Sequence, residues 1–235
     1  MKTKKIIFIL PEDYTFSIPS LFSFKKKYNY KISGLIFSKG FFDMKKLISI
    51  FFLFNFKDHI KFLIKNFIKK EQEQINKIKN INTYDVNSRK VFNFIKKINP
   101  DYMIVISSNQ ILKKKIFDLP KIKTLNFHGS KLPNYRGVLP IFRAYINKDK
   151  NFSITLHEVN ERIDDGCIRG QYKIKITKND KLIDLYHKAF RQFPYLLNKT
   201  IKNSKRSKNN VKFGSYFSYP TLVQLILFRL REIFN

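Results

Sequence analysis

Short apolar runs alternate along this chain with longer segments that have helical periodicity. The runs that indicate buried strands are residues 6–10, 32–37, 102–106 and 124–127. Buried strands separated by helices are joined by right-handed crossovers and form a mostly parallel sheet. We therefore predict an α/β fold with a parallel-rich sheet flanked by helices, and functional residues just after the strand ends.

The remaining segments have weaker signals. We predict a loop over 71–80, a strand over 83–86, a helix from Asn87 to about 97, and a short helix capped by residues 107–109. Further predictions are β structure over 152–176 with a turn at 164–166, and helices over 17–28, 181–202 and 221–234. Residues 1–202 thus form one domain, and residues 203–235 a linker and a C-terminal tail.

Residues 41–70 form a basic, phenylalanine-rich helical insertion, predicted to be two helices. Two interpretations stay open: the helices cover the sheet, or they lie on an anionic membrane with lysines on their polar face. No apolar stretch approaches the roughly 20 residues that span a bilayer. The first strand is also too short for the apolar part of a secretion signal, and the single Cys167 cannot form an internal disulfide. We expect a cytoplasmic protein.

The formal charge of +30 suggests a phosphate-rich partner, because clustered basic residues release counterions on nucleic acid. Composition offers another explanation. Nine of the 47 basic residues are arginine, which leaves 38 lysines, and Ile, Asn and Phe are abundant while Ala is scarce. These are residues of AT-rich codons, and the lysines are scattered rather than clustered, so much of the charge reflects codon composition.

Three side chains suited to proton transfer follow the predicted strands. Asn126 and His128 are two apart at the end of a strand and therefore face the same side. Asp164 lies in the predicted turn 36 residues after His128. An amide, an imidazole and a carboxylate are what a site needs to move a proton and to stabilise an oxyanion.

The segment around these residues resembles the folate-dependent formyltransferases, which include methionyl-tRNA formyltransferase, glycinamide ribonucleotide transformylase and sugar N-formyltransferases. The resemblance rests on Asn126-x-His128, on the loop from Ser130 to Pro140, and on residues 155–157 and 163–171. It covers residues 102–171. It implies a Rossmann-like catalytic domain, with the insertion and a short helical tail as additions.

The resemblance also implies a reaction, in which an amine attacks the formyl carbon of the co-substrate 10-formyltetrahydrofolate. Asn126 and a protonated His128 would stabilise the oxyanion, and Asp164 would keep His128 charged and relay the proton of the amine. No covalent nucleophile and no metal are needed. His157 alternates with apolar neighbours, so we interpret it as a packed structural residue.

The binding residues are assigned by the same resemblance. The residues expected to bind folate are Gln110, Ile111, Leu112, Ser130, Asp165 and Gly166. The residues expected to bind the amine substrate are Lys131, Pro133, Arg136 and Gly137. The basic surface would attract two anionic ligands, the folate and a phosphorylated acceptor.

The acceptor is the open question. Only 33 residues follow position 202 in this sequence, fewer than the additional C-terminal domain of methionyl-tRNA formyltransferases needs. We expect a small amine, namely the amino group of a nucleotide-linked sugar, with methionyl-tRNA as the alternative. A second alternative is a non-catalytic protein of the same fold that binds RNA or membrane. A homodimer through the C-terminal helix is also compatible with the sequence.

Overall fold

The computed structural model describes residues 3–39, 44–67, 72–108, 110–203 and 214–234. The ends of the 41–70 insertion, Asn109 and the predicted linker at 204–210 lie outside the described residues. None of the helices in these ranges combines the length and the apolarity that crossing a bilayer requires.

The described strands form one large sheet and one small ribbon. They are β1 (Lys5–Leu10), β2 (Lys31–Ser38), β3 (Asn80–Thr83), β4 (Tyr102–Ile106), β5 (Lys123–His128), β6 (Arg136–Gly137), β7 (Asn151–Glu158), β8 (Ile168–Lys175) and β9 (Tyr216–Phe217). The large sheet has the order β3-β2-β1-β4-β5-β7-β8, and β6 pairs with β9. The strands β1 to β5 run parallel, whereas β7 is antiparallel to both β5 and β8.

Helices connect the parallel strands and cover the sheet. They are α1 (Ser17–Lys27), α2 (Met44–Leu53), α3 (Phe56–Phe67), α4 (Gln72–Asn76), α5 (Arg89–Ile98), α6 (Lys114–Phe117), α7 (Pro140–Ile146), α8 (Leu182–Lys202) and α9 (Leu222–Phe234). The predicted α/β fold with a mostly parallel sheet is confirmed.

Burial on both faces explains why the central strands are continuously apolar. Residues 6–10 of β1 are fully buried, and their side chains divide between two hydrophobic clusters on opposite faces of the sheet. One cluster contains residues of α1 and α8, and the other contains residues of α5 and α6. The strands β2 and β3 lie on one side of β1, whereas β4 and β5 lie on its other side. This change in strand order between β1 and β4 leaves a crevice at their carboxyl ends.

Four local predictions are wrong, two of them where a polar side chain decides the structure. The strand predicted at 83–86 is β3 at 80–83, a polar edge strand that ends where Oγ1 of Thr83 accepts a hydrogen bond from the N–H of Asp85. The N-cap of α5 is Ser88 instead of Asn87. The side chain of Asn87 instead forms hydrogen bonds with the backbone of Ile111 and Lys113. The predicted loop contains the short helix α4, and α6 begins only at residue 114.

Candidate active site

The site begins at the carboxyl end of β5. Asn126 and His128 lie two residues apart on that strand, as predicted, and both border a cavity. The antiparallel strand β7 pairs Asn126 with His157 and His128 with Thr155. This register places a second histidine beside the predicted pair.

Asp164 lies in the turn between β7 and β8 and has a φ of 49°. Aspartate tolerates this left-handed conformation better than most residues do. Its Oδ2 accepts a hydrogen bond of 2.8 Å from the N–H of Gly137, and its Oδ1 accepts one of 3.3 Å from Nδ2 of Asn126. Nδ1 of His128 lies 3.5 Å from Oδ2 of Asp164. The structure therefore brings together all three predicted catalytic side chains.

The surroundings of Asp164 keep its carboxyl group ionised. Burial by itself would raise the pKa of this carboxyl. The hydrogen bond with His157, the positive charges that His128 and His157 acquire in acid, and the N–H of Gly137 outweigh burial and lower the pKa to about 2. At neutral pH Asp164 therefore carries a negative charge although it is only 9% exposed.

His128 is neutral at rest. Burial lowers its pKa and outweighs the opposite effect of Asp164. Nε2 lies 2.9 Å from the carbonyl oxygen of Tyr135, which only accepts hydrogen bonds, so Nε2 carries the proton of the neutral ring. The lone pair on Nδ1 then faces Asp164 and can take a second proton. The protonated His128 expected from the sequence is thus the less stable form at neutral pH.

The titration of His128 tests this balance. We expect its pKa to lie below the ordinary histidine value near 6.5. In Asp164→Asn the pKa should fall further, because the carboxylate is the group that favours the charged ring. An NMR titration of the histidine ring protons would measure both values, with His128→Gln to assign the signal. A higher pKa in Asp164→Asn would contradict the expected balance.

His157 is buried, as expected for a packed residue, and it also contacts the predicted catalytic side chains. Its Nδ1 lies 2.9 Å from the carbonyl oxygen of Glu158 and therefore carries a proton. Its Nε2 lies 3.0 Å from Nδ2 of Asn126 and 3.4 Å from Oδ1 of Asp164. These contacts follow from the register between β5 and β7, which a local sequence pattern does not reveal.

The cavity measures about 730 Å³, within the usual range for small-molecule sites. Among the predicted site residues, those that border it are Gln110, Ile111, Leu112, Asn126, His128, Gly137 and Asp164. Those that do not border it are Ser130, Lys131, Pro133, Arg136, Asp165 and Gly166. Within the described ranges, no group of three or more His, Cys, Asp and Glu side chains could hold a metal ion.

Several of these residues shape the site from outside the cavity. The guanidinium of Arg136 donates hydrogen bonds of 3.1 and 2.6 Å to the carbonyl oxygen of Ile163 and lies 3.7 Å from Asp165. Oγ of Ser130 donates to the carbonyl oxygen of Asn134. A Cβ at Gly166 would lie 1.7 Å from the carbonyl oxygen of Glu158, so this turn requires glycine. These contacts hold the two loops that carry the site.

The C-terminal tail closes one side of the cavity. β9 pairs with β6 in the loop from Ser130 to Pro140, which we call the motif loop, and the N–H of Val138 donates a 2.8 Å hydrogen bond to the carbonyl oxygen of Phe217. Tyr216 and Tyr219 border the cavity. Buried Arg143 of α7 holds the tail, since its guanidinium donates to the carbonyl oxygen of Ser218 at 3.0 Å and lies over the ring of Phe217. The tail is far from β5 in sequence, so local patterns do not place it at the cavity.

Replacing Arg143 with methionine should loosen this tail. The change removes a charge-assisted hydrogen bond and a cation–π contact, and we expect the free energy of unfolding to fall by about 2 kcal/mol. Hydrogen exchange at the N–H of Val138 should become faster, because its acceptor is in the tail. The matched control is Arg191→Met at an exposed position of α8. Unchanged exchange at Val138 would show that Arg143 does not hold the tail.

The inner side of the insertion forms another wall. Lys46, Ser49, Ile50 and Leu53 of α2 border the cavity, as does Phe62 of α3. The sequence predicts two helices here but does not indicate that they face the site.

Comparisons with known proteins agree with this architecture. The bifunctional polymyxin resistance protein ArnA of Wigglesworthia glossinidia brevipalpis is 36% identical over 143 residues, which are 58% of this chain and 22% of that protein. The methionyl-tRNA formyltransferase of Finegoldia magna is 34% identical over 122 residues, 52% of this chain and 39% of that protein. The chain therefore spans less than half the length of these curated relatives.

Solved structures share the fold at low sequence identity. A phosphoribosylglycinamide formyltransferase from Bacillus halodurans superposes with a TM-score of 0.62 at 18% identity, covering 86% of this chain and 97% of the other. A sugar N-formyltransferase from a Shewanella species gives 0.59 at 18% identity, covering 91% and 76%. The family model described as formyl transferase matches residues 48–201, about two thirds of the sequence. The chain belongs to the formyl transferase family.

Proposed function

We propose that this chain transfers a formyl group from 10-formyltetrahydrofolate to a primary amine. The observation that carries the proposal is the convergence of Asn126, His128 and Asp164 on one wall of the cavity, with Asp164 in contact with the other two. Family membership supports the same chemistry. A non-catalytic RNA- or membrane-binding protein would have no need for a buried carboxylate between two histidines and an amide.

The reaction forms a bond between the amine nitrogen and the formyl carbon and breaks the bond from that carbon to the folate nitrogen. The tetrahedral intermediate carries an oxyanion, which an amide N–H of Asn126 would stabilise. That N–H would exchange its longer contact, 3.3 Å to Asp164, for the oxyanion. This interaction gains strength because the site is largely shielded from water.

His128 and Asp164 would carry the proton. The attacking amine loses a proton, and the departing folate nitrogen gains one. The Nδ1 lone pair of neutral His128 and the carboxylate of Asp164 lie 3.5 Å apart and can hold that proton between them. While the proton is on His128, the positive charge of the imidazolium stabilises the nearby oxyanion. The resting charge state of the site thus suits it to act first as a base.

For the acceptor we propose the amino group of a nucleotide-linked sugar. The cavity is walled by α2 on one side and by Tyr216 and Tyr219 of the tail on another, which suits a small substrate. Methionyl-tRNA is the second candidate, because relatives named methionyl-tRNA formyltransferase are numerous among the curated matches. Glycinamide ribonucleotide is a third, since transformylases of that substrate share the fold.

A direct assay decides between these acceptors. Purified protein is incubated with 10-formyltetrahydrofolate and one of three amines: a nucleotide-linked amino sugar, methionyl-tRNA or glycinamide ribonucleotide. Release of tetrahydrofolate is followed by absorbance, and the formylated product is identified by mass spectrometry. We expect turnover with the sugar nucleotide. Absence of product with every amine would contradict the enzymatic proposal.

Salt dependence provides a second measurement of the acceptor. A tRNA substrate should show a KM that rises steeply with salt, because each neutralised phosphate releases counterions. A sugar nucleotide with two phosphates should show only a weak rise. A weak salt response of the preferred substrate would exclude the tRNA alternative, and a steep one would contradict the sugar nucleotide.

A further inference from the structure

The outer sides of the insertion helices are apolar. On α2 a stripe of exposed residues follows the spacing i, i+3, i+4, i+7 and consists of Met44, Leu47, Ile48 and Phe51. Each of these residues is 36–68% exposed to solvent. On α3 a second stripe consists of Phe56, Ile60, Leu63 and Ile64, which are 39–76% exposed. Helical spacing places each set on one face of its helix.

These helices are anchored by their opposite faces. On α2, Ser49 and Leu53 are buried and border the cavity. On α3, the ring of Phe62 packs against Phe16 and Phe54 at centroid distances of 6.0 and 5.1 Å. The outward stripes are therefore held in a fixed orientation.

The terminal helix α9 extends the same surface. Its inner residues Leu225 and Phe228 are buried, and the ring of Phe228 contacts Phe142 edge to face. Its outer residues are Leu222, Val223, Ile226, Leu227 and Leu230, which are 40–66% exposed. α9 packs against α2, so the two helices are neighbours on this side of the molecule. We name the exposed apolar residues of α2, α3 and α9 the outer helical face.

The charges on these three helices are mostly positive. The helices contain seven Lys or Arg and two acidic residues. Both acids are engaged within the protein: buried Asp58 accepts from the N–H of Asn55, and Glu232 accepts from the hydroxyl of Tyr145 at 2.8 Å. The exposed charges beside the apolar stripes, such as Lys57 and Lys61, are basic. A partner of this face is therefore both apolar and negatively charged.

We propose that the outer helical face docks on the surface of an anionic lipid membrane. Its apolar side chains would enter the boundary between headgroups and acyl chains, and its Lys and Arg side chains would meet lipid phosphates. A second copy fits less well, because the basic residues beside the two faces would meet and repel each other. Each chain also has a net charge of +30. RNA fits less well because the stripes are largely aliphatic, whereas single-stranded RNA is bound by stacking aromatic side chains.

The docking surface lies close to the cavity without being part of it. α2 contributes its inner side to the cavity wall and its outer side to the docking face. One helix diameter, about 10 Å, therefore separates the membrane from the site. The proposal does not depend on which amine the site formylates.

Vesicle co-sedimentation tests the proposal. The full chain is mixed with phosphatidylcholine vesicles, with or without phosphatidylglycerol, and we expect binding to the anionic vesicles. Phe51→Ser with Leu63→Ser should weaken this binding about 100-fold, since each lost apolar side chain accounts for about tenfold. The matched control is Ile122→Ser, which is 42% exposed and lies just before β5. Circular dichroism and thermal melting verify that the variants are folded.

A charge variant gives an independent measurement. Lys57→Gln and Lys61→Gln should each weaken binding to the anionic vesicles about fivefold, corresponding to about 1 kcal/mol per basic residue near the surface. Either absence of vesicle binding by the wild type, or undiminished binding by the folded Phe51→Ser/Leu63→Ser variant, would overturn the proposal. A lipid-free dimer that this double variant separates into monomers would assign the face to a second copy and also overturn it. Sedimentation equilibrium, with a monomer mass of 28.2 kDa, detects that outcome.

Discussion

We expect Asp164→Asn to lower kcat/KM for formyl transfer by about 10³-fold. The change removes the carboxylate that faces Nδ1 of His128 and accepts from Asn126 and Gly137. A positioned acid or base contributes about 10²–10⁴-fold to such reactions. Asparagine has nearly the same shape, so the loss reports charge and proton transfer more than packing. Steady-state kinetics with 10-formyltetrahydrofolate and the acceptor measure it.

The matched control is Asp118→Asn. Asp118 is exposed and forms a surface ion pair with Lys114, so its replacement should leave kcat/KM unchanged. Thermal melting of both variants shows whether the fold is intact. If Asp164→Asn is folded and retains more than a tenth of the wild-type kcat/KM, the assigned role of the carboxylate is wrong.

We expect Gly137→Ala to reduce both stability and activity. Gly137 has a φ of 93°, and a Cβ there would lie 2.2 Å from the carbonyl oxygen of Phe217 in the tail. Backbone strain and the displaced tail strand should lower the free energy of unfolding by about 3 kcal/mol. The N–H of Gly137 also donates to Asp164, so a shift of this loop should lower kcat/KM by about 100-fold.

Gly34→Ala separates the two effects. The atoms nearest to a Cβ at Gly34 would belong to the side chains of Ile98 and Phe94, which do not border the cavity. We expect this variant to lose stability while kcat is unchanged at a temperature where the protein is folded. Chemical denaturation and kinetics on the two variants give both quantities. If Gly137→Ala lost stability alone, as Gly34→Ala is expected to do, the proposed coupling between tail, motif loop and Asp164 would be absent.

The buried strands could be predicted from sequence because their environment imposes a simple pattern. A parallel strand covered on both faces must be apolar throughout, and β1 and β4 have that composition. The edge strand β3 has no such constraint, since one side is unpaired and three of its four residues are polar. Its position was predicted three residues too late for that reason.

The predicted trio in the site followed from two local facts. Asn126 and His128 alternate on one strand, and the Asp-Asp-Gly sequence at 164–166 marks a turn. The position of His157 beside this trio depends on which strand pairs with β5 and in which register, which the local sequence does not show. The family resemblance assigns Arg136 to the substrate, and the structure adds a contact between its guanidinium and the carbonyl oxygen of Ile163 that no local pattern indicates.

Local sequence patterns specify the alternation of strands and helices, the strand that carries Asn126 and His128, and the turn that carries Asp164. These features follow from periodicity and turn chemistry, which act over a few residues. The folded chain alone places α2 and the tail against the cavity and lowers the pKa of His128. Those properties depend on packing between segments distant in sequence and on the burial it produces, which no local pattern encodes.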